Sequence, residues 1–244
     1  MIVQTSHSLS VDCVVFGFNG QSLKVLLVER RYKAVMPERP KEYKLPGSMI
    51  LEAEALPDAA GRVLSEMTGL CDVFLKQTTI FSDPQRVAGE ELRWINEYHG
   101  IDTNRVVTVG YYALVKLDRQ TVAHTTAVGA HWASIESVKH LAMDHKVILA
   151  DALSILCEQV ASSPIAFELL PRKFTIRQLQ TLYEAILGVD IDNRNFRKKL
   201  LESGYLTPTG EREKGVAHKP AEFYTFNMAA YKKSKSGKFK LRFI

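Results

Sequence analysis

The chain has 244 residues, enough for one large domain or two of ordinary size. Its 46% hydrophobic and 24% charged content is that of a globular protein in water, and no run of about 18 apolar residues is present to form a membrane-spanning helix. The net charge of +5 is unevenly held: residues 1–164 carry 16 Lys and Arg against 19 Asp and Glu, whereas residues 165–244 carry 16 against 8, a balance of +8. A ligand-handling half followed by a half that meets a polyanion has this asymmetry, and so does a solvated basic surface.

From the N-terminus, MIVQTSHSLS lacks the basic and long apolar regions of a secretory signal. Val11 to Phe18 and Leu23 to Glu29 are β-branched, apolar runs joined by Asn19-Gly20-Gln21-Ser22, which reads as a β-hairpin. The polar, proline-bearing stretch from Arg30 to Lys44 follows, and Leu45-Pro46-Gly47 leads into a helix. Pro57-Asp58 suits the first turn of that helix, since proline tolerates the helix start and an acid suits its positive end. Gly69 suits its stop. Further strands are expected at Val73 to Phe81, Val106 to Lys116 and Ala130 to Ala133, and a last helix from about His145 to Val160. Cys13, Cys71 and Cys157 are odd in number and widely spaced in apolar segments, so they read as reduced core thiols and the expected location is cytoplasmic.

The segment GSMILEAEALPDAAGRVLSEMTGL, Gly47 to Leu70, resembles the Nudix box: Gly, five residues, Glu, seven residues, then Arg-Glu-U-x-Glu-Glu-x-Gly-U, with U aliphatic. Gly47 opens the loop, Glu54 arrives one residue late, and Arg62, Leu64, Glu66, Gly69 and Leu70 follow in place. The other two acidic positions hold Val63 and Met67. Three carboxylates at i, i+3 and i+4 share one helix face and converge on Mg²⁺, a hard ion that needs several oxygen ligands. One remaining carboxylate of that cluster, Glu66, does not hold a catalytic Mg²⁺, so no catalytic residue, metal or cofactor is expected. The rival reading is an active hydrolase of ADP-ribose or a related nucleoside diphosphate derivative, with Glu52, Glu54 or Glu90 as replacement ligands.

Ser82 to Asn104 is a charged, irregular insertion in the region that the Nudix resemblance places beside the substrate cleft. Its Arg86, Arg93, Trp94, Tyr98 and His99 offer cations and an aromatic surface to a ligand; the alternative is an exposed helical hairpin with Trp94 as its anchor. Arg62, Glu66, Arg86 and Arg93 are the expected effector-binding residues, with Arg62 also expected to brace the box loop.

Ser162-Ser163-Pro164 reads as a boundary, dividing the chain into residues 1–162 and 163–244. Beyond it, Thr175-Ile176-Arg177-Gln178 is a capping box, followed by apolar residues at Ile176, Leu179, Leu182, Tyr183, Ile186 and Leu187 at helical spacing and a stop at Gly188. Asp192 is placed to cap a second helix, Asn193 to Ser203. On this helix Phe196 and Leu200 face inward, while Arg194 and Lys198, flanked by Asn195, face out. Two short helices and a polar stretch from Thr207 to Pro220 that reads as a wing describe a winged helix-turn-helix. The expected DNA-binding residues are Asn193, Arg194, Asn195, Arg197, Lys198 and Lys199 on the helix and Lys214 and Lys219 on the wing, joined there by Arg212 and His218 but opposed by Glu211 and Glu213.

Leu169-Leu170-Pro171, Phe174-Thr175, Leu179-Gln180, Leu182-Tyr183-Glu184-Ala185, Gly188 and Arg194-Asn195-Phe196-Arg197-Lys198 resemble the C-terminal domain of the Nudix-related, NrtR-like transcriptional regulators. The resemblance covers nearly the whole chain. It implies an α/β Nudix-like sandwich domain followed by an α+β winged helix-turn-helix domain, a homodimer, double-stranded operator DNA as partner and a small-molecule effector. Some members respond to ADP-ribose; Bacteroidetes relatives respond to sugars such as arabinose, and the basic tail from Tyr231 to Leu241 resembles theirs.

Overall fold

A computed structural model describes residues 8–32, 40–217 and 219–233. They divide into two compact units. One is formed by residues up to Phe16, 24–114 and 118–152; the other by 17–23, 115–117 and residues from Leu153 onward.

The apolar hairpin forms as expected: β1 (Leu9–Phe18) has nine buried residues of ten, and β2 (Leu23–Glu29) is buried along most of its length. Asn19 closes the turn with its side-chain oxygen, which accepts the Gln21 and Ser22 amides at 3.0 and 2.9 Å. Seven strands are joined in order β3-β2-β1-β6-β5, where β3 is Tyr43–Lys44, β5 Lys76–Phe81 and β6 Val107–Lys116. β4 (Gly47–Met49) pairs with β1 and β7 (Ala130–Ser134) with β2, so the path branches at both hairpin strands. The two shortest strands escape a period-of-two reading because two or three residues carry no pattern.

Helix α1 (Leu56–Thr68) carries the box, with Pro57 in its first turn and a left-handed Gly69 at its end, and it buries Ala59, Ala60, Val63, Leu64 and Thr68. Met67 is only half-buried. The strand expected from Val73 begins at Lys76, and residues 70–75 are a loop in which Cys71 is exposed, not a core thiol; Cys13 alone of the three is buried. The insertion is more regular than its composition predicts: α2 (Glu90–His99) buries Trp94 and Ile95 in a cluster with Val87 and Val106. A further helix, α3 (Arg119–Ala127), is capped by Asp118. The last helix of this part, α4 (His145–Ser162), runs two residues past the expected end.

In the second unit a 3-10 turn (Pro164–Leu169) leads to β8 (Phe174–Thr175) and α5 (Ile176–Leu187), which starts with the reciprocal Thr175–Gln178 capping box and stops at Gly188, whose φ of 67° only glycine adopts freely. α6 (Asn193–Glu202) follows with Asp192 accepting the Asn195 amide at 2.7 Å. β9 (Leu206–Arg212) and β10 (Glu222–Phe226) form the wing, and β8 joins them in an antiparallel sheet ordered β8-β10-β9. α7 (Met228–Lys233) ends the described chain; the rest of the basic tail, like His218 in the wing, lies outside the described residues.

Candidate functional site

The polar interior of the first unit begins on β1. Asp12 is an acid in the middle of a buried strand, 5% exposed, and it pairs across β1 and β4 with Gly47. A Cβ at residue 47 would stand 1.6 Å from Asp12 Oδ1, so the box glycine is required here for close approach. Lys44, also buried, donates from Nζ to the Gly47 and Leu45 carbonyls at 2.7 and 3.2 Å. His145, at the start of α4, accepts the Leu45 amide on Nδ1 at 2.9 Å, which leaves the proton on Nε2, 3.7 Å from Asp12 Oδ1.

Burial dominates the ionisation of all three. Desolvation raises Asp12 to about 6 against the opposing pull of Lys44 and Arg86. It lowers Lys44 to about 8, and it lowers His145 to about 3 with help from the Lys44 charge. His145 is therefore neutral at pH 7, and its approach to Asp12 is not an ion pair.

Arg86 completes the group. Its Nε and Nη2 donate to both oxygens of Asp144 at 2.8 and 2.7 Å, and Nη1 donates to Thr108 Oγ1 at 2.7 Å. Thr108 in turn shares a 2.6 Å bond with Ser10. Ser10, Asp12, Lys44, Arg86, Thr108 and His145 line a cleft with Trp94, Ile95 and His99 of α2, and with Met49, Val87 and Met143. The cleft holds about 30 Å³, on the order of the room that one or two water molecules need and far below the roughly 300 Å³ of a cleft for a larger ligand. Arg30 fixes the α2 wall: its guanidinium lies 4.4 Å from the Trp94 ring centroid and pairs with Glu91 at 2.8 Å and Glu42 at 3.3 Å.

Of the four expected effector residues, only Arg86 reaches this cleft. Arg62 braces the box loop instead: its Nη2 donates to Glu54 at 2.9 Å and to the Met49 carbonyl at 3.1 Å, its Nε also meets Glu54, and Nη1 reaches Glu66 at 3.2 Å. That hydrogen bonding holds the Glu54 carboxyl below its usual range, aided by the Leu51 amide. Glu66 is otherwise exposed, and Arg93 points to solvent from α2, because Trp94 and Ile95 take the buried positions of that helix. Among the described residues, no three His, Cys, Asp or Glu side chains are grouped to hold a metal ion. Val63, at one of the positions where the Nudix-box pattern has an acid, is 0% exposed.

Sequence reasoning passed over Asp12, Lys44, Ser10, Thr108 and Asp144. The available signal was a lone acid inside the apolar run VDCVVFGF, since an ionisable group in a strand core needs partners.

On α6, Phe196 and Leu200 are wholly buried, and Asn193, Arg194, Asn195, Arg197, Lys198 and Lys199 are exposed. Arg197 differs from the others in lying against the Tyr224 hydroxyl of β10, a group whose ionisation is pushed up first by burial and then by Glu222. Lys198 stands 4.0 Å from Glu202. Lys214 and Lys219 are exposed on the wing. The wing acids are occupied: Glu211 pairs with Lys173, and Glu213 accepts the Ala221 amide at 3.1 Å.

Residues 6–152 match the family model of the NUDIX domain. The chain belongs to the Nudix family. Behind that Nudix domain, residues 166–226 match the NrtR DNA-binding winged helix domain. The ADPR responsive transcriptional repressor NtrR of Acinetobacter baylyi is 28% identical over 93% of this chain and 84% of its own length. The crystal structure of Shewanella oneidensis NrtR complexed with a 27mer DNA superposes with a TM-score of 0.72 at 26% identity, covering 97% of this chain and 99% of that one. A MutT/nudix family protein from Enterococcus faecalis shares the fold, with a TM-score of 0.62 at 23% identity over 93% of this chain and 88% of its own. The NrtR-like organisation, a Nudix domain followed by a winged helix, thus extends over nearly the whole chain.

Proposed function

We propose that the protein is an NrtR-type transcriptional repressor that binds operator DNA as a homodimer in the cytoplasm and is controlled by a metabolite bound in a non-catalytic Nudix domain. The sensing domain spans residues 1–162 and the DNA-binding domain 163–244. The observation that carries the reading is the pairing, in one chain, of a box helix whose acidic positions hold Val63 and Met67 with a capped helix α6 that buries Phe196 and Leu200 and turns Arg194, Asn195 and Lys198 outward. Cations and an amide at that spacing suit a major groove, where Arg reads guanine and Asn reads adenine.

The effector is a sugar or an ADP-ribose-type metabolite. ADP-ribose is favoured by the Acinetobacter baylyi relative. A neutral polyhydroxy compound is favoured by the cleft, where Lys44 is held by buried carbonyls and Arg86 by Asp144, and where Ser10 and Thr108 line the wall together with Trp94. Either ligand needs the α2 wall or the Met143–His145 wall to move.

The test is fluorescence anisotropy on a duplex that the protein itself selects from a random pool, titrated with ADP-ribose, NAD and arabinose, beside a thermal-shift measurement with the same compounds. One compound is expected to raise the melting temperature and release the duplex. Salt-independent or absent duplex binding, or Mg²⁺-dependent hydrolysis of ADP-ribose at about 1 per second or more, overturns the reading.

A further inference from the structure

The turn between α5 and α6 is held by two side chains of α5 that stand one helical turn apart. The Gln180 side-chain amide donates to Glu184 Oε1 and to the Ile191 carbonyl, both at 2.8 Å, and the same Glu184 oxygen accepts the Ile191 amide at 3.2 Å. These partners fix which end of the Gln180 amide is nitrogen, since both are acceptors and an oxygen in its place would face two oxygens. One backbone residue is thus gripped at its donor and at its acceptor. It is the residue before Asp192, whose side chain accepts the Asn195 amide and whose carbonyl accepts the Phe196 amide at the start of α6.

Gln180 is 1% exposed, and among the described residues its Oε1 has no hydrogen-bond partner. An unpaired buried carbonyl offsets much of what the two donated bonds contribute, so an apolar side chain of similar length costs the fold little. What the amide contributes is geometry: it fixes where α6 begins. Asn193, Arg194 and Asn195, exposed in the first turn of α6, follow within four residues of Ile191. In a helix-turn-helix the first residues of the second helix meet the base edges, and a side chain reads a base only when held within about 0.5 Å of its productive place.

We propose that Gln180 and Glu184 are positioning residues that set the sequence specificity of the winged helix domain. They touch no base; they hold Ile191, and through the Asp192 cap the first turn of α6, in the placement that lets Arg194 and Asn195 reach base edges. Phosphate contacts by long, exposed lysines tolerate a displaced helix start, whereas base contacts do not. Discrimination between duplexes therefore depends on this pair, and general affinity for DNA does not. The inference rests on the DNA-binding reading given above.

The test uses the full chain, with salt-dependent anisotropy on the self-selected duplex and on a scrambled one. Gln180→Met, which is close to the amide in length and makes neither bond, is expected to lose about tenfold or more of its affinity for the selected duplex. Its affinity for the scrambled duplex stays within about threefold of wild type, with the same salt slope. Glu184→Ala is expected to behave like Gln180→Met, while Glu184→Gln, which keeps an oxygen for the Ile191 amide, keeps most of the discrimination. Circular dichroism and urea unfolding check that each variant is folded. Hydrogen exchange of the wild type needs no variant: the Ile191 amide is expected to exchange at least about tenfold more slowly than an unstructured amide. Discrimination retained by Gln180→Met and Glu184→Ala, an equal loss on both duplexes, or an unprotected Ile191 amide overturns the positioning role alone. A wild type that does not tell the two duplexes apart is a distinct result, which overturns the DNA-binding reading and this role with it.

Discussion

Helices α1 and α6 are both short, amphipathic and rich in functional side-chain types, yet they spend them in opposite directions. On α1 the one arginine is consumed inside the molecule, on Glu54, Glu66 and the Met49 carbonyl, and a position that carries a metal-binding acid in the Nudix box is filled by a buried Val63. On α6 two apolar anchors are buried and seven polar side chains, Glu202 among them, are exposed. Polar groups turned into the fold on α1 brace it, whereas those of α6 stand at the surface.

The largest expected effect lies on α6. Arg194→Ala is expected to cost roughly 1 to 3 kcal/mol of duplex affinity and to relax preference at one base position. Lys198→Ala weakens all sequences alike and lowers the slope of log K against log salt by about one unit. The measurement is salt-dependent anisotropy on selected and scrambled duplexes, with circular dichroism to confirm folding. Unchanged binding by the folded double variant breaks the contrast by removing α6 from the interface.

On α1 the expected loss is in stability. Arg62→Ala removes charge-assisted hydrogen bonds from a half-buried loop brace and is expected to cost about 2 kcal/mol in urea unfolding, with effector affinity changed no more than stability. A stable Arg62→Ala protein that no longer binds effector makes Arg62 a ligand contact and erases the difference between the helices.

A third expectation concerns acid behind the box. His145, lowered to about 3, contributes stability that is lost as pH falls from its ordinary 6.5 toward 3, because the unfolded chain binds the proton first. Asp12, raised to about 6 from an ordinary 3.8, has the opposite sign: between those values the folded chain holds more protons, so stability rises as pH falls. The two contributions oppose each other between about pH 4 and 6. Asp12→Asn leaves the His145 part alone, and its stability is expected to fall by about 1.4 kcal/mol per pH unit more steeply than wild type across that window. Equal slopes in the two proteins break the assignment. The smallest effect belongs to Glu66→Gln, whose exposed partnership with Arg62 is worth less than about 0.5 kcal/mol. Effector affinity is expected to be unaffected, as isothermal titration checks.

The local signals that sequence carries well are those with a backbone cause. The Asn19 turn, the Thr175–Gln178 box and the Asp192 cap formed where residue chemistry placed them, because each satisfies groups within a few residues of itself, and the Pro57 start did so because its fixed φ suits a first turn. The cleft was not legible for the converse reason. Ser10, Asp12, Lys44, Arg86, Thr108, Asp144 and His145 come from four strands or loops and a helix start, and only strand pairing and chain crossing bring them together. Arg86 of the insertion reaches the cleft, whereas Arg93 is exposed, because the helix that the insertion forms buries Trp94 and Ile95.

Val63 sets what a carboxylate at its position would cost the fold. Its side chain is sealed in the core of α1, 0% exposed beside Leu64 and Ala60, so glutamate there must either bury a charge or push the helix off its sheet, and both cost several kcal/mol. Core packing and a carboxylate are therefore exclusive uses of this position, and a side chain that served the one would be withdrawn from the other.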